Sequence, residues 1–288
     1  MRVVSVAAAI AAPEPRDLSP EDFAAVARMA HAHAGIVLHP GKRVLVSSRL
    51  AKLVRAHGSR DIGEYIQHIS HDARARTAAI EALTTNHTRF FREDHHFRHF
   101  DEVLRPEIVG ALEKGRRVRM WSAGSSSGEE VYSLAMTLLG SNEREGRRIL
   151  TRDVAMLATD LNAQVLETGR AGRYAAEAAA AIPEPLGRLW TERTGDALTI
   201  RREVRDIVHF RQLNLLGEWP IAGQFHAIFC RNTMIYFDAA TNERLQCRLA
   251  EKLLPGGYLY IGHSERLLGE AAGMLRPVGQ TVFRKVPA

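Results

Sequence analysis

What most constrains this chain is a strand, a glycine-bounded loop and a helix in immediate succession. Val118-Arg119-Met120-Trp121-Ser122-Ala123 reads as a strand and Gly124-Ser125-Ser126-Ser127-Gly128 as a small-residue loop. Glu129 to Leu139 then reads as a helix, with Val131, Leu134, Ala135, Leu138 and Leu139 as its buried stripe. The alternation continues. Val154 to Asp160 is a second strand ending in an acid, Ala163 to Arg170 is helical, and Phe225 to Asn232 is a later strand. Thr241 to Leu254 is a long helix expected to stop at Pro255-Gly256-Gly257, and Tyr258–Gly262 and Thr281–Val286 give two more strands. Helices between strands let the next strand return parallel, so the pattern predicts an α/β, doubly wound, Rossmann-like domain.

Sheets of this kind bind ligands at the carboxyl ends of their strands, where loop Gly124–Gly128 sits. The loop is G-x-x-x-G. It is neither the G-x-G-x-x-G of dinucleotide folds nor a phosphate loop with its Lys. Two carboxylates, Glu129 and Glu130, open the following helix, where they would repel a phosphate but attract a cation. Asp160 ends the next strand, the position at which such folds place an acid on ribose hydroxyls. A nucleoside that is positively charged and lacks phosphate meets these demands, and S-adenosylmethionine is one. A plain turn is the alternative reading of the loop.

The first part of the chain is different. Ser19 can cap a helix, Pro20 suits its first position, and Glu21 and Asp22 follow in the first turn. Further helices are expected over Lys42–His57, ended by Gly58, then from Asp61, and over Ala73–Leu83, giving a small all-helical domain over 17–85. Between Pro40 and Arg60 there are six basic residues and no acidic one. Arg49, Lys52 and Arg55 recur every third residue and form a candidate docking face, with Leu45, Leu50, Leu53 and Val54 covering the other side. A solvated face is the bland alternative. The whole chain carries 39 Lys and Arg against 33 Asp and Glu, a net +6 that suits an acidic partner.

Residues 1–16 read as a disordered leader, since one Arg and an Ala-rich apolar stretch make a poor signal peptide. That stretch, Val3 to Ala12, is too short to span a bilayer, so no direct membrane insertion is expected. Only two cysteines, Cys230 and Cys247, are present, which favours a reducing, cytoplasmic setting.

The segment joining the two regions resembles a known family. Leu83-Thr84-Thr85-Asn86-His87-Thr88-Arg89-Phe90-Phe91-Arg92-Glu93 is similar to the linker motif of the CheR family, the chemotaxis-receptor glutamate O-methyltransferases. Five further blocks resemble that family in the same order. They are Trp121–Ser133, the acid of Leu157-Ala158-Thr159-Asp160-Leu161-Asn162, Gln212–Leu216, Ile228–Phe237 and Gly257–Glu265. The resemblance runs from about residue 18 to residue 286. It implies a class I methyltransferase domain over 116–288, dependent on S-adenosylmethionine and releasing S-adenosylhomocysteine. A small β-subdomain is expected inserted at about 172–210, and a linker over 86–115 that contributes to the cofactor site.

By that resemblance, Asn86, Thr88 and Arg92 close over the cofactor, and Glu130 and Asp160 hold it from two strand ends. Asn214 and Leu215 border its adenine, and Arg231 and Asn232 the far side of its pocket. Arg92 and Tyr236 lie nearest the substrate and are the expected catalytic residues. The partner implied is the acidic helical segment of a methyl-accepting chemotaxis receptor, with the enzyme acting as a monomer and without nucleic acid. A hairpin around Thr194-Gly195-Asp196 corresponds to the β-subdomain. In some members a longer Gly-containing loop there binds a peptide tether at the receptor's C-terminus, and the short loop here predicts no need for one.

The acceptor carboxylate is already ionised at neutral pH, so no general base is required, and no Ser/His/Asp or Cys/His set appears. His95, His96 and His99 have a spacing that can bind zinc, but no further ligand block accompanies them and no metal is expected. Cys230 reads as a small buried residue. Two other classes fit the same pocket: a methyltransferase for RNA or a small molecule, and a protein that senses S-adenosylmethionine without turnover. Neither aromatic–basic interleaving nor an RNA-binding module supports the first. The intact set Arg92, Glu130, Asp160, Asn232 and Tyr236 argues against the second.

Overall fold

Ser19 starts the first helix by accepting the Asp22 backbone N–H at 3.0 Å, with Pro20 in the first turn where its missing N–H costs nothing. The computed structural model describes residues 18–286, so the leader expected over 1–16 lies outside the described residues. The chain divides into two compact units. The first contains the described residues up to His33 together with Leu38–Leu83, and the second contains Ala34–Val37 together with Thr84 onward.

The first unit has four helices: α1 (Pro20–Ala34), α2 (Arg43–His57), α3 (Ile62–His71) and α4 (Ala73–Leu83). Their ends follow the sequence chemistry. Gly58 closes α2 at φ +79, a value at which a Cβ would be strained, and Asp61 caps α3 by accepting the Glu64 N–H at 2.9 Å. Val26, Ala30, Leu50, Ile69 and Ala79 form a fully buried core. On α2 the buried stripe is Val46, Leu50 and Val54, at four-residue spacing, whereas Leu45 is exposed. This corrects the expectation for Leu45.

The second unit begins with α5 (His95–His99), which passes through a π-helical turn at Phe100–Leu104 into α6 (Arg105–Glu113). Then follow β1 (Val118–Ala123), α7 (Glu129–Leu139), α8 (Glu143–Leu150), β2 (Val154–Asp160), α9 (Ala163–Ala171) and β3 (Arg173–Ala175). Next come α10 (Glu184–Trp190), β4 (Thr191–Thr194), β5 (Ala197–Ile200), α11 (Arg202–Asp206), β6 (Val208–Gln212) and β7 (Phe225–Cys230). The unit closes with α12 (Ala239–Glu251), β8 (Leu253–Ile261), α13 (Ala271–Met274), β9 (Leu275–Gly279) and β10 (Val282–Lys285).

Seven strands form one sheet in the order β6-β2-β1-β7-β8-β10-β9. The first five are mutually parallel, and β10 runs antiparallel to both β8 and β9. The period of two is visible on β1. Val118 and Met120 join the cluster containing α7, while Trp121 and Ala123 join the one containing Leu245 and Leu249 of α12. Both faces are therefore covered, as a parallel sheet requires. Each fully buried large side chain adds roughly 1.5–3 kcal/mol of hydrophobic stabilisation. The chain goes out one way from β1 to β2 and the other way to β7, which makes the carboxyl end of β1 the topological switch point.

Two boundaries differ from expectation. The long helix ends at Glu251, and Pro255-Gly256-Gly257 lies inside β8. Pro255 has no N–H for a ladder, Gly256 takes φ +76, and the pairing with β7 shifts register there, so the Pro-Gly-Gly run makes an irregularity in a strand instead of stopping a helix. The small sheet, in the order β3-β5-β4, uses residues 173–200, and Val208–Gln212 belongs to the main sheet beside β2. The inserted strands therefore end before the expected limit at about 210.

Candidate active site

The loop after β1 is shaped by the end of β2. The backbone N–H groups of Gly124 and Ser125 both donate to the Thr159 carbonyl, each at 2.8 Å. The Ser126 N–H donates to Asp160 Oδ2 at 2.9 Å, and the Asn162 N–H to Asp160 Oδ1 at 2.9 Å. Gly124 has φ +83, and a Cβ there would stand 2.3 Å from Thr233 Oγ1, so glycine is required on both counts. Ser125 is 1% exposed, and its hydroxyl has no hydrogen-bond partner among the described residues. Leu213, just past β6, donates its N–H to the Asp160 carbonyl at 2.9 Å, which places Asn214 and Leu215 along the same edge. Asn214 Oδ1 accepts the Leu216 N–H, and Leu215 is buried.

At the end of β7, Arg231 is almost fully buried and is surrounded by acceptors. It pairs with Glu130 Oε2 at 3.1 Å and Glu93 Oε2 at 3.3 Å, and donates to the Arg92 carbonyl. Glu130 Oε1 accepts from the Ser122 hydroxyl at 2.7 Å, so both of its oxygens are engaged within the protein. Burial pushes the Glu130 carboxyl above its ordinary range, and the Arg231 charge and the Ser122 bond pull it back only in part. Burial likewise raises Glu129, which accepts from the Ser127 hydroxyl at 2.7 Å. Burial holds Cys230 protonated, in keeping with its reading as a small core residue.

The linker reaches this edge through several contacts. The Ser126 hydroxyl donates to the Asn86 carbonyl at 2.9 Å, and the Phe91 N–H donates to Ser133 Oγ at 2.9 Å. Arg92 donates to the His87 carbonyl at 3.0 Å. Thr88 is half-buried, without a hydrogen-bond partner among the described residues. Tyr236, in a short 3-10 turn after β7, accepts the Val37 N–H at its carbonyl, and its hydroxyl has no partner among the described residues. Arg49, Lys52 and Arg55 belong to the other unit. Lys52 and Arg55 are exposed, whereas Arg49 donates to the Leu83 carbonyl at 2.6 Å and so serves the end of α4.

Two acids carry more of this site than the sequence reading assigned them. Glu93 accepts from His263 at 2.9 Å and from Asn232 Nδ2 at 3.1 Å, besides pairing with Arg231. Glu265 accepts the N–H groups of Gly262, Asn232 and Met234 at 2.5, 3.2 and 2.8 Å, fixing the turn that carries Asn232 at φ +56. Both acids lie inside quoted sequence blocks; for Glu265 an acid closing an apolar, glycine-containing stretch was the available signal, whereas Glu93, between Arg92 and Asp94, carries no local signal. The spacing noted for His95 and His99 also resolves differently. His99 bonds the Tyr260 hydroxyl, while ligand atoms of Glu93, His95 and His96 lie within 4.8 Å of one another. The Arg231 guanidinium already supplies positive charge beside Glu93.

The donor set fits a cationic nucleoside. A loop backbone held open by glycine at Gly124, a buried hydroxyl without a partner among the described residues, a carboxylate at the end of β2 and an acidic helix start meet at the carboxyl edge of the sheet.

Comparison with known proteins places these features in a family. The family model described as "CheR methyltransferase, SAM binding domain" matches residues 86–283, and that described as "CheR methyltransferase, all-alpha domain" matches residues 21–84. A probable chemotaxis protein methyltransferase of Rhizobium etli is 39% identical over 262 residues, covering 89% of this chain and 96% of the relative. Chemotaxis protein methyltransferase 2 of Pseudomonas aeruginosa is 39% identical over 268 residues, covering 91% and 92%. A chemotaxis protein methyltransferase of Klebsiella aerogenes is 39% identical over 274 residues, covering 92% and 90%.

The cluster has a pH dependence of definite sign. Burial, reinforced by the charges of Arg231 and His95, holds His96 down to about 3 from 6.5. Burial raises Glu93, but the His263 bond, the Arg231 charge and the Asn232 bond outweigh it and bring the group down to about 2 from 4.5. A depressed folded value means that the unfolded chain binds the proton first, so stability is lost as pH falls. For His96 the loss begins near pH 6.5 and for Glu93 near 4.5. Glu129, Glu130 and Glu265, raised by burial, act in the opposite sense, so the difference between variants is the readout. In urea unfolding between pH 7 and pH 5, His96→Gln is expected to flatten the fall in stability by up to ~1.4 kcal/mol per pH unit. An unchanged slope would mean that His96 is not held neutral in the fold.

Proposed function

The chain belongs to the CheR methyltransferase family, and on that premise we propose that it methylates glutamate side chains of chemoreceptors, forming glutamyl methyl esters. The observation that carries this reading is the convergence of the family's motif blocks on one carboxyl edge, tied together by Arg231, Glu130 and Glu93. S-adenosylmethionine, when bound, supplies an electrophilic methyl group on a positively charged sulfur. Asp160 and Asn214, with Asn86 and Thr88 of the linker, would hold it, and Leu215 would border its adenine. Glu130, Arg231 and Asn232 would frame the rest of its pocket.

The protein's own part is orientation and charge. A receptor glutamate arrives ionised, so no residue has to remove a proton. Transfer from a sulfonium to a carboxylate cancels two charges, and a water-poor site favours that cancellation. Arg92 steers the incoming carboxylate, and its present bond to the His87 carbonyl is one that a carboxylate can replace. The unengaged hydroxyl of Tyr236 donates to the acceptor or donor.

Recruitment falls to the helical unit. Lys52 and Arg55 of α2 are exposed, no acid lies between Pro40 and Arg60, and Val44 nearby is 78% exposed. An acidic receptor helix suits this face. The β4–β5 hairpin turns through Gly195 and Asp196 alone, which leaves no longer loop to hold a C-terminal tether. We read the enzyme as a cytoplasmic monomer. Among the described residues no helix is long and apolar enough to cross a membrane.

Three outcomes test this. Incubation with labelled methyl donor and a receptor signalling fragment is expected to give a product that releases methanol in base; base-stable label, or label on RNA instead, would contradict it. Arg92→Ala and Tyr236→Phe are each expected to lower turnover at saturating donor by about 100-fold, the low end of what a single positioned polar group contributes. Full turnover in both would remove these roles. For recruitment, deleting the receptor's C-terminal pentapeptide is expected to leave KM unchanged, while Lys52→Glu with Arg55→Glu raises it; the reverse pattern would assign recruitment to the tether.

A further inference from the structure

We propose that Glu93 is a positioning residue for methyl transfer, holding Asn232 and Arg231 in place from the linker. The proposal rests on the methyltransferase reading above and adds a residue to it.

Glu93 stands where three distant segments meet. Its Oε1 accepts both His263 Nδ1 at 2.9 Å, from the turn after β8, and Asn232 Nδ2 at 3.1 Å, from the end of β7. The first contact requires the His263 proton on Nδ1, since a carboxylate only accepts. Its Oε2 faces Arg231 at 3.3 Å. The backbone is forced to suit. Glu93 has φ +58 and Phe91 φ +50, two non-glycine residues in the left-handed region within three positions. Such a conformation persists only where the surroundings over-determine it, and here the side chain is the anchor. Glu93 is only 12% exposed, so its charge acts with little screening.

The groups so held are those the reaction is assigned to. Asn232 is gripped twice, its backbone N–H by Glu265 and its amide by Glu93. Arg231 donates to the carbonyl of Arg92, the residue next to Glu93, so one carboxylate sets the end of β7 and the start of the catalytic linker together. Neutralising it would leave Arg231 with Glu130 as its one carboxylate among these contacts and weaken the charge-assisted hold on the Asn232 amide.

The test measures S-adenosylhomocysteine affinity by calorimetry and methyl transfer to a receptor fragment, using the full chain. Glu93→Gln is expected to weaken cofactor affinity by about tenfold with unchanged KM for the receptor fragment. Glu93→Asp, which keeps the charge, is expected to recover part of that loss. In a double-mutant cycle with Asn232→Ala, the combined loss is expected to fall well short of the product of the two single losses, because one residue acts through the other. A residue that is merely structural would lower thermal stability without that coupling and without rescue by Asp. Wild-type affinity in Glu93→Gln, an inert Asn232→Ala, or losses that simply multiply would each overturn the proposal. If Glu93→Gln does not fold, Glu93→Asp and its cycle with Asn232→Ala decide the same question. A wild-type chain that binds no cofactor would overturn the methyltransferase reading itself, a failure distinguishable from all of these.

Discussion

A single guanidinium between two carboxylates organises the active edge of this protein. Arg231 is nearly excluded from water, with Glu130 at 3.1 Å on one side and Glu93 at 3.3 Å on the other. Three segments therefore depend on one charge: the helix after β1, the end of β7 and the linker. Desolvating such a group is costly, and a buried pair often adds little net stability over an apolar substitute, but removing one partner leaves an uncompensated charge costing about 3–5 kcal/mol. Its value lies in specifying where the linker sits, and the linker carries Arg92.

The sheet supplies the frame for that charge. Because alternate residues of β1 face α7 and α12, the strand is locked on both faces and its carboxyl end is fixed. The loop that follows is then tied through its backbone to Thr159 and Asp160, so the glycine-bounded turn is shaped by its neighbour strand and its serine hydroxyls are left to reach Asn86 and Glu129. The result is an edge richer in acids than in bases, suited to a donor that arrives positively charged. The basic stretch of the chain belongs to the other unit, apart from these acids.

Much of this was legible in the sequence because the signals were local. Periodicity located β1, α7 and β2 within a residue or two, and the capping residues Ser19, Gly58 and Asp61 marked helix ends. What escaped was set by distant partners. Glu93 reads as one more acid after Phe-Phe-Arg until Arg231 and Asn232, each over a hundred residues away, are brought to it. Arg49 looks like a third docking cation by spacing, yet the end of α4 draws it in, a contact 34 residues distant. Pro255-Gly256-Gly257 carries the composition of a stop signal, and tertiary pairing with β7 used it as a bulge. The edge strand β9 buries only Leu275, so it has no alternation to read.

The most direct measurement is a double-mutant cycle on the central pair, with Arg231→Met and Glu130→Gln compared by equilibrium denaturation. If Arg231 holds the site together through these carboxylates, the two changes are expected to couple by about 2 kcal/mol or more, with the double variant more stable than the sum of the singles predicts. Additivity within about 0.5 kcal/mol would show that the pair is incidental and that something else fixes the linker.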